Sequence, residues 1–164
     1  MITYTELVEV LEYCPDSGSF TWKVDKGSRA LKGTTAGTVT PDGYVSIRVT
    51  HNIYRAHRLA WLYCFKEWPE NYIDHINGNR QDNRLDNLRE ATKVQNSYNT
   101  KAHKDNTSGA KGVYYNKANG NYRAQIRYNG KTMSLGSFKT VDEASSAYNK
   151  KALELHGEFY AEDR

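Results

Sequence analysis

Across 164 residues, 38% apolar and 26% charged with a formal net charge of +4, the chain has material for one modest core and one small satellite domain, which excludes a large enzyme fold. Its two cysteines, Cys14 and Cys64, exclude a disulfide framework and a four-cysteine structural zinc site. With no signal peptide and no apolar run long enough to span a bilayer, the sequence reads as a soluble, cytoplasmic protein without a membrane partner.

The first fifty or so residues read as a β-rich scaffold. Thr3-x-x-Glu6 is a capping box for a short helix with Leu7, Val10 and Leu11 inward. Strands follow over 19–24, 37–40 and 44–49, with Pro41-Asp42-Gly43 as a turn. The loop over 27–37 and its flanks carry Lys23, Lys26, Arg29 and Lys32, either as a phosphate-contacting arm or as an ordinary basic loop. Residues 56–65 form an apolar helical run that Pro69 ends. Leu59, Leu62, Tyr63 and Phe65 are expected to pack on the segment that follows, and His57 to anchor that packing by hydrogen bonds. Arg58 is a candidate phosphate contact.

The most informative stretch comes next: Asp74-His75-Ile76-Asn77-Gly78-Asn79, then Asp82-Asn83-Arg84, Asp86-Asn87-Leu88-Arg89, Asn96 and Asn99. A strand ending at Asp74 and His75 would point the two side chains to opposite faces, so that a carboxylate holds a cation while an imidazole addresses a water. Asn77-Gly78 signals a turn into a polar loop. A short second strand is expected around 86–89, then a helix over 93–98 with Thr92 as N-cap. Taken singly, an Asp-His pair or an Asn-rich loop is most often a solvated turn; here the pieces fall at one spacing. Arg80, Arg84 and Arg89 read as a solvated charged face unless nucleic acid recruits them.

Residues 57–99 resemble the HNH nuclease motif, the ββα-metal finger, in the version found in phage and intron homing endonucleases. The resemblance implies His75 as general base, Asn87 as the residue orienting His75 and the finger, and Asp74 and Asn96 as ligands of one divalent metal. Asn96 stands where the motif often has a third histidine, so the ligand set is oxygen only. Mg²⁺ or Mn²⁺ suits it better than zinc.

From 101 to 140 the chain carries eight lysines and arginines against one acid, Asp105, the electrostatic footprint of a nucleic-acid contact. The segment over 97–110 is polar and aperiodic and reads as a linker, in which Lys101, His103 and Lys104 follow a groove or only tether. Asn119-Gly120 and Asn129-Gly130 bracket a run that alternates Tyr122, Ala124, Ile126 and Tyr128 with Arg123, Gln125 and Arg127, and 131–138 supplies a third strand. Thr140-x-x-Glu143 caps a helix whose stripe is Ala144, Ala147, Tyr148, Ala152 and Leu155, closed by Gly157. That helix would cover the apolar face of the sheet, with Arg123, Gln125 and Arg127 outward.

This region, on Gly112-Val113, 122–126, Leu135-Gly136-Ser137-Phe138, Ala144, Ala147-Tyr148 and His156-Gly157, resembles the Apetala and ethylene-response-factor DNA-binding domain. The resemblance implies a sheet laid against duplex DNA; the candidate contacts are Arg123, Gln125 and Arg127 on the outward face, with Tyr114, Asn116, Lys117, Lys111 and Ser134, and Arg58 and Arg84 are separate candidates on the finger. Tyr114 and Asn116 stand where that family's first strand carries arginine.

The expected architecture is α+β: a nuclease domain over 1–100 (scaffold 1–53, helix and finger 54–100), a linker over 101–110 and a DNA-binding domain of three antiparallel strands on one helix over 111–164. The expected activity is site-directed hydrolysis of a DNA phosphodiester bond leaving a 3′-hydroxyl, by a monomer that nicks or a DNA-induced dimer. The alternatives are a non-catalytic DNA-binding regulator with a degenerate finger, and an RNA-directed nuclease.

Overall fold

The computed structural model describes residues 1–99 and 106–160. The chain divides into two compact units, Met1–Asn96 and Ser97–Arg164. Lys101, His103 and Lys104, named above as groove or tether, lie outside the described residues.

The first unit opens on helix α1 (Tyr4–Val10), held at its start by the expected reciprocal Thr3–Glu6 box. Leu7 is fully buried, but Leu11, expected on the same helix, begins a strand. That strand, β1 (Leu11–Cys14), pairs with β2 (Ser19–Trp22), which pairs with β3 (Thr35–Ala36). A second sheet joins β4 (Thr38–Val39), β5 (Val45–Val49) and β6 (Asn52–Arg55), antiparallel throughout. The Pro41-Asp42-Gly43 turn closes as expected, with Gly43 N–H donating to the Thr40 carbonyl at 2.8 Å. Three strands, β1, β3 and β6, were not expected.

Helix α2 (Ala56–Phe65) stops at Lys66, which is left-handed at φ 64°, three residues before the proline expected to end it. Leu59 and Leu62 enter the same core as Leu7, Leu11, Phe20 and Ile47, and Ile73 and Leu88 of the finger join them. Phe65 departs from the expectation: it is 49% exposed and lies against the Trp61 ring. The finger consists of β7 (Tyr72–His75), a 3-10 turn (Leu85–Asn87), β8 (Leu88–Ala91) and helix α3 (Lys93–Tyr98). Its second strand thus starts at Leu88, after the turn, and not at Asp86. A box between Thr92 and Gln95 caps α3, with Gln95 N–H donating to Thr92 Oγ1 and Thr92 N–H to Gln95 Oε1.

The second unit is one sheet, β9 (Val113–Asn116), β10 (Asn121–Tyr128) and β11 (Lys131–Phe138) with β10 central, covered by α4 (Val141–His156). Asn129 and Gly130 both take positive φ, the two-residue hairpin that an Asn-Gly pair favours. Ala124, Ile126, Val113, Ala144, Tyr148 and Ala152 make the core. Gly112, at φ +70°, is required there, because a Cβ would run into the Tyr148 ring and lie 2.7 Å from the Gln125 carbonyl oxygen. Asn106 to Ala110 are not a free tether: Ser108 Oγ donates to the Val113 carbonyl at 2.7 Å and Ala110 is buried in this core. The α+β architecture is as expected.

Candidate active site

Both β7 side chains at the heart of the motif are buried, Asp74 and His75 each 4% exposed. Antiparallel pairing sets Arg89 of β8 directly opposite Asp74. The guanidinium closes on the carboxylate, Nε at 3.0 Å and Nη2 at 2.8 Å from the same oxygen, Oδ2. Arg89 is therefore no solvated face. It is the counter-ion that makes a buried carboxylate tolerable.

The loop between the strands is built from carboxamides gathered around the Asp82 carboxylate. Asn77 Nδ2 donates to Asp82 Oδ2, and Arg84 grips both oxygens of Asp82 at 2.8 and 2.7 Å. Arg84 first of all, through its hydrogen bonds, holds the Asp82 carboxyl down at about 2. Asn87, expected to orient His75, receives the backbone N–H of Asn77 on Oδ1 at 2.9 Å and donates Nδ2 to the Asp82 carbonyl at 2.7 Å. It laces the loop shut. The ring of His75 meets another side chain that the sequence reading left in the background: Asn83 Oδ1 stands 3.2 Å from His75 Nε2. Burial pushes the His75 imidazole below its ordinary range, opposed by the Asn83 hydrogen bond and by Asp74 and Asp82.

His57 was expected to anchor packing by hydrogen bonds, and it does not. Its buried Nδ1 has no hydrogen-bond partner among the described residues, and the ring instead meets His75 edge-on, centroids 5.0 Å apart at 82°, and Tyr44 at 5.2 Å. Burial, then the neighbouring His75, Arg58 and Arg55, drive its pKa down to about 3, so it stays neutral. Tyr44 also borders His75 at 5.9 Å, and the guanidinium groups of Arg55 and Arg80 stand over its ring at 5.0 and 4.8 Å from the centroid. Arg80 donates to the Asp42 carbonyl at 2.8 Å, tying the finger loop to the scaffold turn.

Asn96 lies half-buried on α3, one turn past the Thr92 cap. HNH endonucleases generally use a divalent metal ion. Among the described residues no three His, Cys, Asp or Glu side chains converge on a point that could hold a metal ion. Magnesium-like ions take one or two carboxylates and fill the rest of their shell with water and substrate phosphate.

Several candidate nucleic-acid contacts make hydrogen bonds within the protein. Arg58 donates to the Asn71 and Pro69 carbonyls and closes the turn after α2. Lys111 Nζ donates to the Tyr98 carbonyl at 2.7 Å, and Lys23 Nζ donates to the Val8 carbonyl at 2.6 Å. Asn116 Oδ1 accepts from Ala118 N–H within its own turn. The outward face of the second unit is as the alternation implied: Arg123, Gln125 and Arg127 are all exposed, as are Tyr114, Lys117 and Ser134. Register aligns Tyr114, Arg123 and Ser137 in one row, Gln125 with Ser134 in the next and Arg127 with Thr132 in the third.

Asn83 and Arg89 are what sequence reasoning missed. Arg89 carried a signal, an opposite charge falling across from Asp74 once the strands pair. Asn83 carried none beyond its place in the motif.

Residues 54–98 match the HNH endonuclease family. The chain is 37% identical over 106 residues to Protein 3.8 of Escherichia phage T7, which covers 64% of this chain and 87% of the phage protein. It is 41% identical over 93 residues to an uncharacterised HNH endonuclease of Acanthamoeba polyphaga mimivirus, covering 57% of this chain and 47% of that protein, so it spans less than half of the mimivirus relative. No solved structure matches. The matched segment contains Asp74, His75, Asn87 and Asn96, so this chain carries an HNH endonuclease domain over residues 54–98.

Proposed function

We propose that the chain is a site-directed DNA endonuclease of homing type, from a phage or other mobile element, that hydrolyses one phosphodiester bond and leaves a 3′-hydroxyl. The observation that carries this reading is a buried imidazole, His75, kept neutral and clamped by Asn83, one residue along a strand from a buried carboxylate with its own counter-ion. A neutral imidazole is a proton acceptor at ordinary pH. His75 would take the proton from a water aligned with the scissile phosphorus, as the bond to the 3′ oxygen breaks.

Asp74 and Asn96 would hold Mg²⁺ or Mn²⁺. When bound, the ion supplies Lewis-acid stabilisation of the charge that grows on the phosphate. Arg89 keeps Asp74 oriented, and Asn87 keeps the loop closed. Two apolar strand positions, Ile73 and Leu88, seat the finger in the core, so the site rests on a rigid base. The Apetala-type reading of the second unit, as a domain of its own, is supported by its exposed row of Arg123, Gln125 and Arg127, which suits phosphates or base edges in a major groove. With one finger per chain, a monomer would nick.

Supercoiled plasmid incubated with the protein and Mg²⁺ or Mn²⁺ tests this. Conversion to open circle, abolished by chelator, is expected, with His75→Ala slowing it by roughly 10²- to 10⁴-fold. A non-catalytic regulator would shift the DNA and leave it closed. Preferential competition by RNA would redirect the reading to that polymer.

A further inference from the structure

We propose that Asn83 is the positioning residue of the site and that it fixes His75 in the tautomer with its proton on Nε2, making Nδ1 the atom that accepts the proton from water. This rests on the reading of His75 as general base. The argument begins with the amide. Asn83 Nδ2 donates to the Gln81 carbonyl at 3.1 Å, which turns Oδ1, and not the amino group, toward the His75 ring. A carboxamide oxygen only accepts. The ring nitrogen facing it at 3.2 Å must therefore be the N–H. A neutral imidazole carries one such proton, so the lone pair falls on Nδ1.

Asn83 can impose this because it is itself immobilised. It is 2% exposed, and its backbone carbonyl accepts from the Tyr13 hydroxyl at 2.7 Å. Burial raises the Tyr13 phenol and keeps it a donor. Gly18, at φ +70° in the β1–β2 turn, lets the scaffold backbone come so close that a Cβ would run into the backbone of Asn83 and Arg84. On its other sides the His75 ring is bordered by His57 and Tyr44.

The test is a long-range proton–nitrogen NMR spectrum of the histidine rings in the full-length, metal-free protein above pH 8, with His75 assigned by its disappearance in His75→Gln. A protonated, pyrrole-type Nε2 and a pyridine-type Nδ1 are expected. Asn83→Leu should give a mixed or reversed tautomer and lower kcat for plasmid nicking by about 10- to 100-fold with KM little changed. Asn83→Asp, which keeps an acceptor oxygen on Nε2, should restore the tautomer. A wild-type spectrum with the proton on Nδ1 overturns the proposal, as does an Asn83→Leu protein with unchanged tautomer and rate. Should Asn83→Leu not fold, the wild-type spectrum decides alone. Full activity in His75→Ala would instead overturn the reading of His75 as base while leaving the tautomer assignment in place, so the two failures are separable.

Discussion

The finger and the C-terminal unit handle polar side chains in opposite ways. The finger draws them in: Asp74, His75, Asn83 and Asn87 are all buried, and each has a partner within the finger. The C-terminal unit buries mainly alanine, valine, isoleucine and tyrosine and sends Arg123, Gln125 and Arg127 to the solvent. A buried polar group is costly unless paired, so its partners constrain it to one geometry, which suits chemistry. An exposed one costs little and remains adaptable, which suits a surface that must meet a ligand. Stability and function should therefore be coupled in the first region and separable in the second.

The sharpest way to break that contrast is Asp74→Ala. It strands the Arg89 guanidinium, 13% exposed, and should destabilise the first unit by about 3–5 kcal/mol as well as abolish cleavage. Urea denaturation of Asp74→Ala, Arg89→Met and the double variant would check it. The double variant should recover much of the stability and none of the activity. Next in size is Gly112→Ala, which places a methyl group against the Tyr148 ring at a left-handed backbone position. A loss of about 3 kcal/mol in the second unit is expected from overpacking and φ strain together, read from its denaturation midpoint.

Replacing Arg123, Gln125 and Arg127 by alanine should do the reverse. Stability should stay within about 0.5 kcal/mol, while DNA affinity falls and its salt slope, log K against log salt, drops by roughly 2 as two phosphate-class contacts vanish. Filter binding or anisotropy at several salt concentrations measures this. A loss of folding in the triple variant would show that the outward row is structural after all.

The smallest effect is one of pH. His156 is buried, stacked on Tyr98 at 3.6 Å and bordered by Tyr128 at 5.9 Å. Burial, then the charge of Lys111, lowers its pKa. Because the folded pKa lies below the unfolded value, the unfolded chain binds the proton first as pH falls. The contribution of His156 is therefore fully present above about pH 6.5 and is lost as pH falls from there toward the folded value. Melting temperature of the second unit should rise between pH 5 and 7.5, and this slope should flatten in His156→Phe.

The C-terminal unit was legible in the sequence almost residue by residue, because its signals are local. An Asn-Gly pair, a Thr-x-x-Glu box and a two-residue alternation each settle their own few residues. The scaffold was less so. Leu11 continues the helical spacing of Leu7 and Val10 yet begins β1, since its pairing with Trp22 is made only after the chain turns back. Within the site, residue types and spacing marked Asp74 and His75, and the partners that hold them were hidden. Whether Arg58, Arg84, Arg89 or Lys111 meets solvent depends on which carbonyl or carboxylate folding brings near, and charge alone does not say. His57 shows the same limit, for its ring contacts took the place of the hydrogen bonds its polarity suggested.

The bond from Tyr13 to the Asn83 carbonyl bears on how portable this HNH domain is. Residues 54–98 look like a detachable cassette, yet the phenol that steadies their loop and the glycine that lets it dock sit at positions 13 and 18. A transplant of the cassette alone onto another protein would carry Asn83 without the phenol that holds its carbonyl. Grafts meant to cut should begin upstream of Leu11.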